Sequence, residues 1–430
     1  MGAVVVVGAQ WGDEGKGKIV DIYARDADVV VRYGGGANAG HTLVVDGKQL
    51  VMHLVPAGAL HPGKRCVLGQ GAVIDPKVLI KELGSLRAWG AFDPTRFVVS
   101  ERAFLVLPHH MLVDELRDKR IGALGTTRRG IGPAYEDKAG RRGLRIGDLL
   151  DPDRFTRKLD ANLDAWRPTI AALGGEMPDA GAVRAQYLDY GRELAPLVGD
   201  AGKVVRDALR AGERVLMEGN QGALLDVDSG TYPFVTSTST VAGGACAGAG
   251  IGPTAIDAVV GIAKAYTTRV GHGPFPTELD GEAGDKLREA GSEYGATTGR
   301  PRRCGWLDLP SLRFAVEING MTSIALTKID VLTGMPKIDV CTGYAVDGKP
   351  VTRPPYDGLE RVTPIYESFD GWTEALGACK RLEDLPVNAR RYIAAIERLA
   401  GCPVSLVSVG ADREQTILLR EPYAQARTRH

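Results

Sequence analysis

The stretch from Val4 to Asp21, VVVVGAQWGDEGKGKIVD, constrains the fold more than any other part of the sequence. Four consecutive valines predict a short buried strand, and the glycine-rich turn after them leads into a helix that we expect to begin near Lys18. Glycines let backbone N–H groups converge on phosphate oxygens, and the start of a helix adds partial positive charge. The order strand, glycine loop, helix therefore predicts a phosphate-binding site.

This loop is close to the nucleotide-binding P-loop pattern but departs from it at one position. Gly12, Gly17 and Lys18 fit G-x-x-x-x-G-K, whereas Ile19 stands where a Ser or Thr would hold Mg²⁺. If Mg²⁺ binds here, another oxygen must replace that hydroxyl, and Asp13 inside the loop is the obvious donor. The alternative is an ordinary strand–helix turn. Two lysines and two carboxylates among the glycines favour phosphate binding.

Further units of strand and glycine loop follow along the chain and predict an α/β fold. We expect a large, mostly parallel central sheet flanked by helices, with a P-loop-like nucleotide site. No linker-like shift in composition divides the 430 residues, so we expect a single domain, 1–430, with subdomain insertions.

Composition limits the classes of partner and compartment. The formal net charge is zero, which gives no reason to expect a nucleic-acid or acidic-membrane partner. Six scattered cysteines form no C-x-x-C pair, which argues against zinc and is typical of a reduced, cytoplasmic protein. His109 and His110 are interpreted as structural, because no carboxylate has ligand spacing with both. No apolar run reaches membrane-spanning length, so we expect a cytoplasmic protein without a membrane partner.

Three further segments are candidates for ligand binding. A predicted strand over 28–33 ends in GGGANAGHT, which presents Asn38 and His41 where ligands of parallel sheets gather. Segments 125–143 and 295–303 are rich in arginine, whose planar fork suits phosphates and dicarboxylates. A solvated basic loop is the alternative for both arginine-rich segments.

Other patterns predict scaffold. A helix is expected from Pro76 to Leu86 with Asp75 as its N-cap. Three helical patterns occupy 151–209, with Pro168 among the breaks between them, and 254–264 is predicted to be a strand–helix junction.

The stretch GAQWGDEGKGKIVD closely resembles the signature of the adenylosuccinate synthetase family. Segments 125–138 and 295–303 match the same family, and the motifs arrive in family order from Gly8 to Gly410. The resemblance implies a ligase that joins IMP to L-aspartate with GTP, through 6-phosphoryl-IMP, and releases GDP and phosphate. The product is adenylosuccinate, in the first committed step of AMP biosynthesis. The resemblance also implies Mg²⁺ and a homodimer.

The resemblance implies four catalytic residues. Asp13 would be the general base that removes the N1 proton of IMP, and it would also bind Mg²⁺. His41 and Lys16 would offset charge on the transferring phosphoryl group. Gln221 would contact the purine base through its amide.

The resemblance also implies a set of residues for each ligand. For GTP the set is Gly12, Asp13, Glu14, Gly15, Lys16, Gly17, Lys18, Gly40, His41, Thr42, Arg302, Lys328, Ile329, Asp330, Ser408, Val409 and Gly410. For IMP it is Asp13, Glu14, Gly15, Lys16, Asn38, Ala39, Gly40, His41, Thr127, Arg141, Gln221, Thr236 and Arg300, with Arg141 reaching the neighbouring subunit's site. For aspartate it is Thr297, Thr298, Gly299, Arg300 and Arg302, and for the metal Asp13 and Gly40.

The segment from Thr327 to Asp330 resembles the guanine-reading T-K-x-D element of GTPases. A carboxylate there accepts two hydrogen bonds from guanine that adenine cannot donate, which would select GTP over ATP. Two positions depart from the family pattern. Arg128 stands where we expect glycine, and Ala411 where members usually have proline.

Two other classes of protein share part of these signals. A GTPase switch or regulatory nucleotide binder would need the first loop and T-K-x-D, but not the arginines at 300–303 or the basic segment around Arg141. A Rossmann dehydrogenase would need G-x-G-x-x-G after the first strand with an acidic residue ending the second, and the sequence lacks this combination.

Overall fold

The computed structural model describes residues 2–38, 40–45, 48–119, 125–295 and 299–425, with the side chains of residues 41–50 and 425 outside this description. Its strands are β1 (Ala3–Gly8), β2 (Val29–Arg32), β3 (His41–Val45), β4 (Lys48–Met52), β5 (Arg65–Leu68), β6 (Val73–Ile74), β7 (Phe97–Ser100), β8 (Phe104–Leu105), β9 (Val198–Gly199), β10 (Val215–Glu218), β11 (Ile256–Lys264), β12 (Thr267–Arg269), β13 (Arg303–Gly305), β14 (Leu307–Asp308), β15 (Ser323–Thr327), β16 (Lys337–Val346), β17 (Lys349–Val351), β18 (Thr363–Asp370), β19 (Val404–Ser408) and β20 (Thr416–Leu418).

Ten of these strands form one central sheet in the order β20-β19-β15-β11-β1-β10-β2-β5-β7-β9. Eight of its nine neighbouring pairs are parallel, and only β19 and β20 run antiparallel. The first strand pairs with β10 on one side and β11 on the other. The sequence that begins the phosphate loop therefore lies in the middle of the sheet.

The valine run makes β1 buried on both faces. Successive side chains of a strand point to opposite faces of the sheet. Val5 and Val7 accordingly pack into one hydrophobic core, while Val4 and Val6 pack into a second core on the other face. Helices cover both faces, which is the arrangement that parallel sheets require.

The helices in the described residues are α1 (Lys16–Ala24), α2 (Pro76–Ala88), α3 (Pro108–Asp118), α4 (Ile131–Ala139), α5 (Pro152–Ala172), α6 (Ala180–Leu194), α7 (Ala201–Arg210), α8 (Gly243–Ala249), α9 (Glu282–Gly291), α10 (Leu309–Asn319), α11 (Val387–Ala400) and α12 (Pro422–Gln425). Short 3₁₀ turns connect several of them. None of the described helices combines the length and apolarity needed to cross a bilayer.

Smaller sheets decorate the central one. Strand β16 pairs with β17 and β18 in antiparallel fashion and with β14 in parallel fashion. Strands β3 and β4 form an antiparallel pair directly after the loop that follows β2, and β12 pairs with β13.

The N-cap predicted for α2 is confirmed. Asp75 accepts a hydrogen bond from the backbone N–H of Lys77 (3.0 Å), and Pro76 occupies the first helical position, where its missing N–H costs nothing.

Two local predictions are wrong. Pro168 does not end a helix, because α5 continues through it to Ala172. The carbonyl that loses its partner belongs to Asp164 on the exposed face, where water can satisfy it, while Trp166 and Ile170 anchor the buried face. The segment 254–264 is not a strand–helix junction either, since Ile256–Lys264 is one nine-residue strand between two neighbours.

The two adjacent histidines do have a carboxylate beside them, contrary to the prediction. Asp137 of α4 packs against both rings, and Nε2 of His110 lies 2.8 Å from its Oδ2. Asn162 and Trp166 donate to the same carboxylate at 2.6 and 2.9 Å. Sequence spacing missed this contact because α3, α4 and α5 meet only in the folded chain.

Candidate active site

Five of the predicted ligand segments begin where strands of the central sheet end. Segment 9–15 follows β1, 219–222 follows β10, 33–40 follows β2, 328–330 follows β15 and 409–410 follows β19. The strands lie in the order β19-β15-β11-β1-β10-β2 and are mutually parallel. Their carboxyl ends therefore share one edge, which is where α/β sheets bind ligands.

The loop after β1 is shaped by a buried carboxylate of its own. Gly12, Asp13 and Gly15 all have positive φ, at 87°, 59° and 89°. The carboxylate of Glu14 accepts hydrogen bonds from the backbone N–H groups of Gln10 (3.1 Å) and Gly12 (2.9 Å). Glu14 is fully buried by this contact, so its side chain lies behind the loop and Asp13 is left at the surface of the site.

Close approach between this loop and the loop after β10 requires glycine. A Cβ on Gly222 would lie 2.3 Å from the carbonyl oxygen of Gln10 and 2.5 Å from the nitrogen of Gly12. The two loops can therefore approach this closely only with glycine at position 222.

Strained backbone is concentrated in the predicted site. Among the described residues, seven non-glycines have positive φ, and four of them are predicted site residues: Asp13, Arg141, Gln221 and Lys328. Such conformations cost of the order of 1–3 kcal/mol and persist where the surrounding structure fixes them, typically at functional sites.

A cavity of about 1120 Å³ opens along this edge of the sheet. It exceeds the roughly 300–1,000 Å³ typical of a pocket for one small molecule, so it has room for more than one ligand. The predicted residues that line it are Gly12, Asp13, Gly15, Lys16, Gly17, Lys18, Asn38, Gly40, Thr127, Gln221, Thr236, Arg300 and Arg302.

On the β15 and β19 side, Lys18 ties the first loop to the predicted guanine segment. Its ammonium donates to Oγ of Ser408 (2.7 Å) and to the carbonyl oxygen of Gly410 (2.8 Å). Burial lowers the pKa of Lys18 to about 8, although Asp330 and Asp412 act in the opposite direction. The structure thus brings Lys18, Asp330, Ser408 and Gly410 together.

Two residues predicted for GTP turn their side chains away from any ligand. Ile329 and Val409 are almost fully buried in the hydrophobic core. Only their backbone groups remain for a nucleotide. Burial raises the pKa of Asp330, an effect that Lys328 and Lys18 oppose.

At the centre, Arg302 bridges two carboxylates. Its Nε donates to Oδ2 of Asp13 (2.9 Å), and its Nη1 donates to Oε2 of Glu293 (2.7 Å). The Lys16 ammonium lies 2.5 Å from Oε2 of Glu14 and still lines the cavity. Cationic groups that could meet phosphate or carboxylate are therefore already held in place by acidic partners.

On the β10 and β2 side, side-chain amides line the cavity, and some of their polar atoms have no hydrogen-bond partner among the described residues. Nδ2 of Asn220 donates to Oε1 of Gln221. Within the described part of the chain, Oδ1 of Asn220, Nε2 of Gln221 and Oδ1 of Asn38 are buried without a hydrogen-bond partner. Buried polar atoms are normally paired, so these three suit a polar heterocycle with donors and acceptors of its own.

Thr127 and Thr236, which the resemblance assigns to IMP, both line the cavity. Beside them, Arg128 has φ of 56°, in the left-handed region that favours glycine. This gives a backbone reason for the glycine expected there. Here Nε of Arg128 donates instead to Oδ2 of Asp118 (3.0 Å), at the surface.

Arg141 is not brought to the cavity of its own chain. It lies at the exposed end of α4 with φ of 60° and is absent from the lining of the cavity. The neighbouring Arg142 is used internally, because its Nε donates to Oδ1 of Asp137 (2.5 Å).

Several predicted residues cannot be placed in full. Ala39, Thr297 and Thr298 lie outside the described residues, and so do the side chains of His41 and Thr42. The backbone of His41 begins β3, opposite Met52. Gly299 has φ of 64°, and its N–H donates to the carbonyl oxygen of Gly295 (2.8 Å) at the base of the arginine-rich loop.

Sequence reasoning missed several charged residues of the site, among them Arg32, Glu218 and Arg269 in the cavity lining and Glu293 beside Arg302. Arg269 lines the cavity, is fully buried, and lies over the ring of Trp11 (5.2 Å). Burial and the nearby Arg303 lower its pKa to about 9. Glu293 is not part of the cavity lining, but it accepts a hydrogen bond from Nη1 of Arg302. For Arg269 the only signal in the sequence was its position just before the glycine-rich segment 271–277. For Glu293 it was the position just before 295–303.

Fold and site together define an α/β enzyme that binds nucleotide phosphate at a glycine loop on the carboxyl edge of a parallel sheet. A family model described as adenylosuccinate synthetase matches residues 5–417. The adenylosuccinate synthetase of Sorangium cellulosum is 53% identical over 427 residues, which cover 99% of this chain and 100% of that protein. That of Anaeromyxobacter dehalogenans is 54% identical over 426 residues, covering 98% and 99%.

Solved structures agree with the sequence comparisons. The fully ligated adenylosuccinate synthetase from Plasmodium falciparum superposes with a TM-score of 0.92 at 38% identity, over 98% of this chain and 100% of that one. A cyanophage S-2L succinoaminodeoxyadenylate synthetase shares the fold, with a TM-score of 0.64 at 21% identity over 99% of each chain.

The chain belongs to the adenylosuccinate synthetase family. It is a ligase that forms a carbon–nitrogen bond, joining IMP and aspartate to adenylosuccinate with GTP in AMP biosynthesis. The predicted fold class and enzyme class are confirmed, and the GTPase-switch and dehydrogenase alternatives are set aside.

Proposed function

We propose that the cavity holds IMP and GTP on opposite sides of the loop after β1, with aspartate beneath the arginine-rich loop. The order of the strands carries this proposal. The guanine-reading segments follow β15 and β19, and the amides suited to a purine follow β10 and β2, so β1 lies between them. A phosphoryl group passing from one nucleotide to the other would cross the loop that contains Asp13.

Asp13 acts as the general base in this proposal. It takes the N1 proton of IMP, and the C6 oxygen then attacks the γ-phosphorus of GTP, giving 6-phosphoryl-IMP and GDP. The amine of aspartate next attacks C6 and displaces phosphate, giving adenylosuccinate. Asp13 suits the first step because its carboxylate is 39% exposed and lines the cavity.

Positive charge at the loop would stabilise the transferring phosphoryl group. Lys16 lines the cavity but pairs with Glu14, so a phosphate would share the ammonium with that carboxylate. His41 is proposed as the second donor to the phosphate, on the resemblance alone. Gln221 is proposed to orient the purine, since its unpaired amide nitrogen faces a cavity of matching polarity.

Mg²⁺ fits the oxygen donors present. The carboxylate of Asp13 and the carbonyl of Gly40 both border the cavity, and hard oxygen ligands are those that Mg²⁺ prefers. Asp13 inside the loop supplies an oxygen that Ile19 cannot. When bound, the ion would neutralise charge on the nucleotide phosphates.

For aspartate we propose Arg300 and Arg302 together with Thr297, Thr298 and Gly299. Both arginines border the cavity, and guanidinium forks match carboxylates. For guanine we propose Asp330 with the backbone at 408–410.

We also propose a homodimer in which Arg141 serves the IMP site of the neighbouring subunit. Its exposure and its distance from its own cavity support this arrangement.

A single domain spanning the chain is supported by the central sheet, which takes strands from residue 3 to residue 418. The cytoplasmic location stays a prediction, consistent with six free cysteines.

The decisive experiment follows purine ultraviolet absorbance with IMP, aspartate, GTP and Mg²⁺, and then with each omitted in turn. A change that requires all four is expected. Phosphate release from GTP without IMP or aspartate would contradict the proposed order of steps. Activity that persists without Mg²⁺ in the presence of a chelator would remove the metal from the proposal.

A further inference from the structure

Glu293 is a fully buried carboxylate at the junction of three ligand segments. Its Oε1 accepts hydrogen bonds from Nζ of Lys264 (2.8 Å) and from the hydroxyl of Tyr266 (2.5 Å). Its Oε2 accepts from Nη1 of Arg302 (2.7 Å). Nζ of Lys328, in the guanine-reading segment, lies 3.6 Å from Oε1. We refer to these five residues as the Glu293 cluster.

The backbone of Glu293 closes the base of the arginine-rich loop. Its carbonyl oxygen accepts from the N–H of Arg302 (2.9 Å), and its own N–H donates to the carbonyl of Arg288 (2.8 Å). One step further along, the N–H of Gly295 donates to the carbonyl of Arg300 (2.8 Å). Glu293 thus holds Arg302 by main chain and side chain at once.

The other edge of the Arg302 guanidinium is presented to the active site. Its Nε donates to Oδ2 of Asp13 (2.9 Å). A guanidinium on a long side chain has many rotamers in water, and two fixed carboxylates on its two edges leave few. The orientation of Arg302 therefore depends on a partner that lies outside the cavity.

Glu293 is the carboxylate that balances the positive charges of the cluster. Burial raises the pKa of Glu293, but Lys264, Lys328 and Arg302 outweigh burial and lower the pKa to about 2. Lys264 is itself fully buried, and burial lowers its pKa while Glu293 opposes this effect. One carboxylate thus faces three cations, from β11, from the segment after β15 and from the arginine-rich loop.

We propose that Glu293 is a positioning residue for the ligation, which holds the Arg302 guanidinium ready to receive the substrate aspartate. This inference rests on the proposed role of Arg302 in aspartate binding. It assigns a function to a residue that touches no substrate and acts through Arg302. The KM for aspartate should depend on Glu293 most and the KM for IMP least.

Two variants test the inference. Glu293→Gln alone leaves Lys264 buried without its counter-charge, so the informative protein is the double variant Glu293→Gln with Lys264→Met. We expect it to fold and to raise the KM for aspartate by about tenfold or more, since small displacements of a positioning group cost large factors. The KM for IMP should rise less than the KM for aspartate, because IMP would meet Arg302 only indirectly, through Asp13.

Matched controls separate the possible results. Glu289→Gln removes an exposed carboxylate from α9, four residues before Glu293, and should change neither KM. Arg302→Gln should raise the KM for aspartate at least as much as the double variant does. If the double variant does not fold, Glu293→Asp replaces it, since it keeps the charge and withdraws it by one methylene.

The outcomes that would overturn the inference are distinct from those that overturn the proposed function. A folded double variant with the wild-type KM for aspartate, beside an Arg302→Gln variant with a raised one, makes Glu293 only a structural counter-ion of Lys264. An Arg302→Gln variant with an unchanged KM for aspartate removes Arg302 from the aspartate site and overturns both.

Discussion

Two buried carboxylates, Glu293 and Asp137, are each surrounded by hydrogen-bond donors, but the donors differ in kind. Glu293 faces Lys264, Lys328 and Arg302, and Arg302 continues outwards into the cavity. Besides the Tyr266 hydroxyl, its partners are these three cations, and one of them, Arg302, lines the cavity.

None of the described hydrogen-bond donors to Asp137 lines the cavity. His110, Asn162 and Trp166 donate to it from buried positions, and Arg142 covers it from the surface. Burial raises the pKa of Asp137, but hydrogen bonds from His110, Asn162 and Trp166 outweigh burial and hold the pKa well below its usual range.

This difference separates a carboxylate that only stabilises the fold from a carboxylate that also takes part in ligand binding. A carboxylate whose donors are all satisfied inside the protein contributes to folding. A carboxylate whose cations reach a cavity also fixes where a ligand's negative charge will bind. On this basis substitutions at Asp13 and Glu293 should act on turnover and KM, and those at Asp137 on stability.

The largest effect is expected at Asp13. Asp13→Asn keeps the shape, the contact with Arg302 and the tolerance of positive φ, but it removes the proton acceptor. General-base catalysis contributes roughly 10²–10⁴-fold, so kcat should fall by about that factor. Steady-state kinetics measure the loss, and thermal unfolding should show an unchanged midpoint. A variant with more than half of the wild-type kcat would exclude Asp13 as the base.

Asp137→Asn should act on stability instead. Removing one partner of a buried charged network costs about 2–4 kcal/mol, reduced here because Arg142 is partly exposed. Urea unfolding measures this change. The matched control is Asp164→Asn, which removes an exposed pair with Arg167 and should cost at most about 1 kcal/mol.

The pH dependence gives the same substitution a second test. The folded-state pKa of Asp137 lies below its unfolded value of roughly 4, so its contribution is complete above that pH and is lost as the pH falls further. The difference in stability between wild type and Asp137→Asn should therefore shrink as the pH is lowered below about 4. A difference that stays constant down to pH 2 would contradict the role given to these hydrogen bonds.

Asp330 lies near Lys18 and Lys328, and its proposed partner is the base of GTP. Asp330→Asn should raise the KM for GTP by about tenfold, because each hydrogen bond to a charged group is worth about 1.5–3 kcal/mol. Inosine triphosphate lacks the exocyclic amine and provides the comparison. The wild type should prefer GTP clearly, whereas the variant should treat the two nucleotides almost alike. If the variant still prefers GTP to inosine triphosphate as strongly as the wild type does, another residue must recognise guanine.

The smallest effect is expected at Arg128, where the charge pair is at the surface. Arg128→Gly relieves a positive φ but gives up the pair with Asp118 and adds freedom to the unfolded chain. These terms oppose one another, so the free energy of unfolding should change by less than about 1 kcal/mol. The KM for IMP should change by less than about threefold. A larger rise would place Arg128 among the phosphate ligands.

Local patterns were sufficient for much of the fold. The valine run predicted β1 and its burial, Asp75 and Pro76 predicted the start of α2, and repeated strand and loop units predicted the parallel sheet. These features depend on residues close in sequence. Pro168 failed as a helix break because packing of Trp166 and Ile170 outweighed local propensity.

The site was predicted only where its residues stand in motifs. Asp13, Lys16, Gln221, Thr236 and Arg302, all from these motifs, line one cavity, and their roles remain predictions. Arg269 and Glu293 were not predicted, because their environment comes from partners far away in sequence.

By itself the sequence determined the functional groups of this protein and their local setting: a glycine loop after the first strand, an aspartate within that loop, and two arginine-rich segments. Backbone conformation and functional groups are local properties, so residue types and spacing express them. The tertiary structure alone decided which charges face one another. Lys264 and Glu293 are 29 residues apart, and Arg302 is 289 residues from Asp13. Electrostatic partnership depends on distance in space and on burial, and the folding of the sheet sets both.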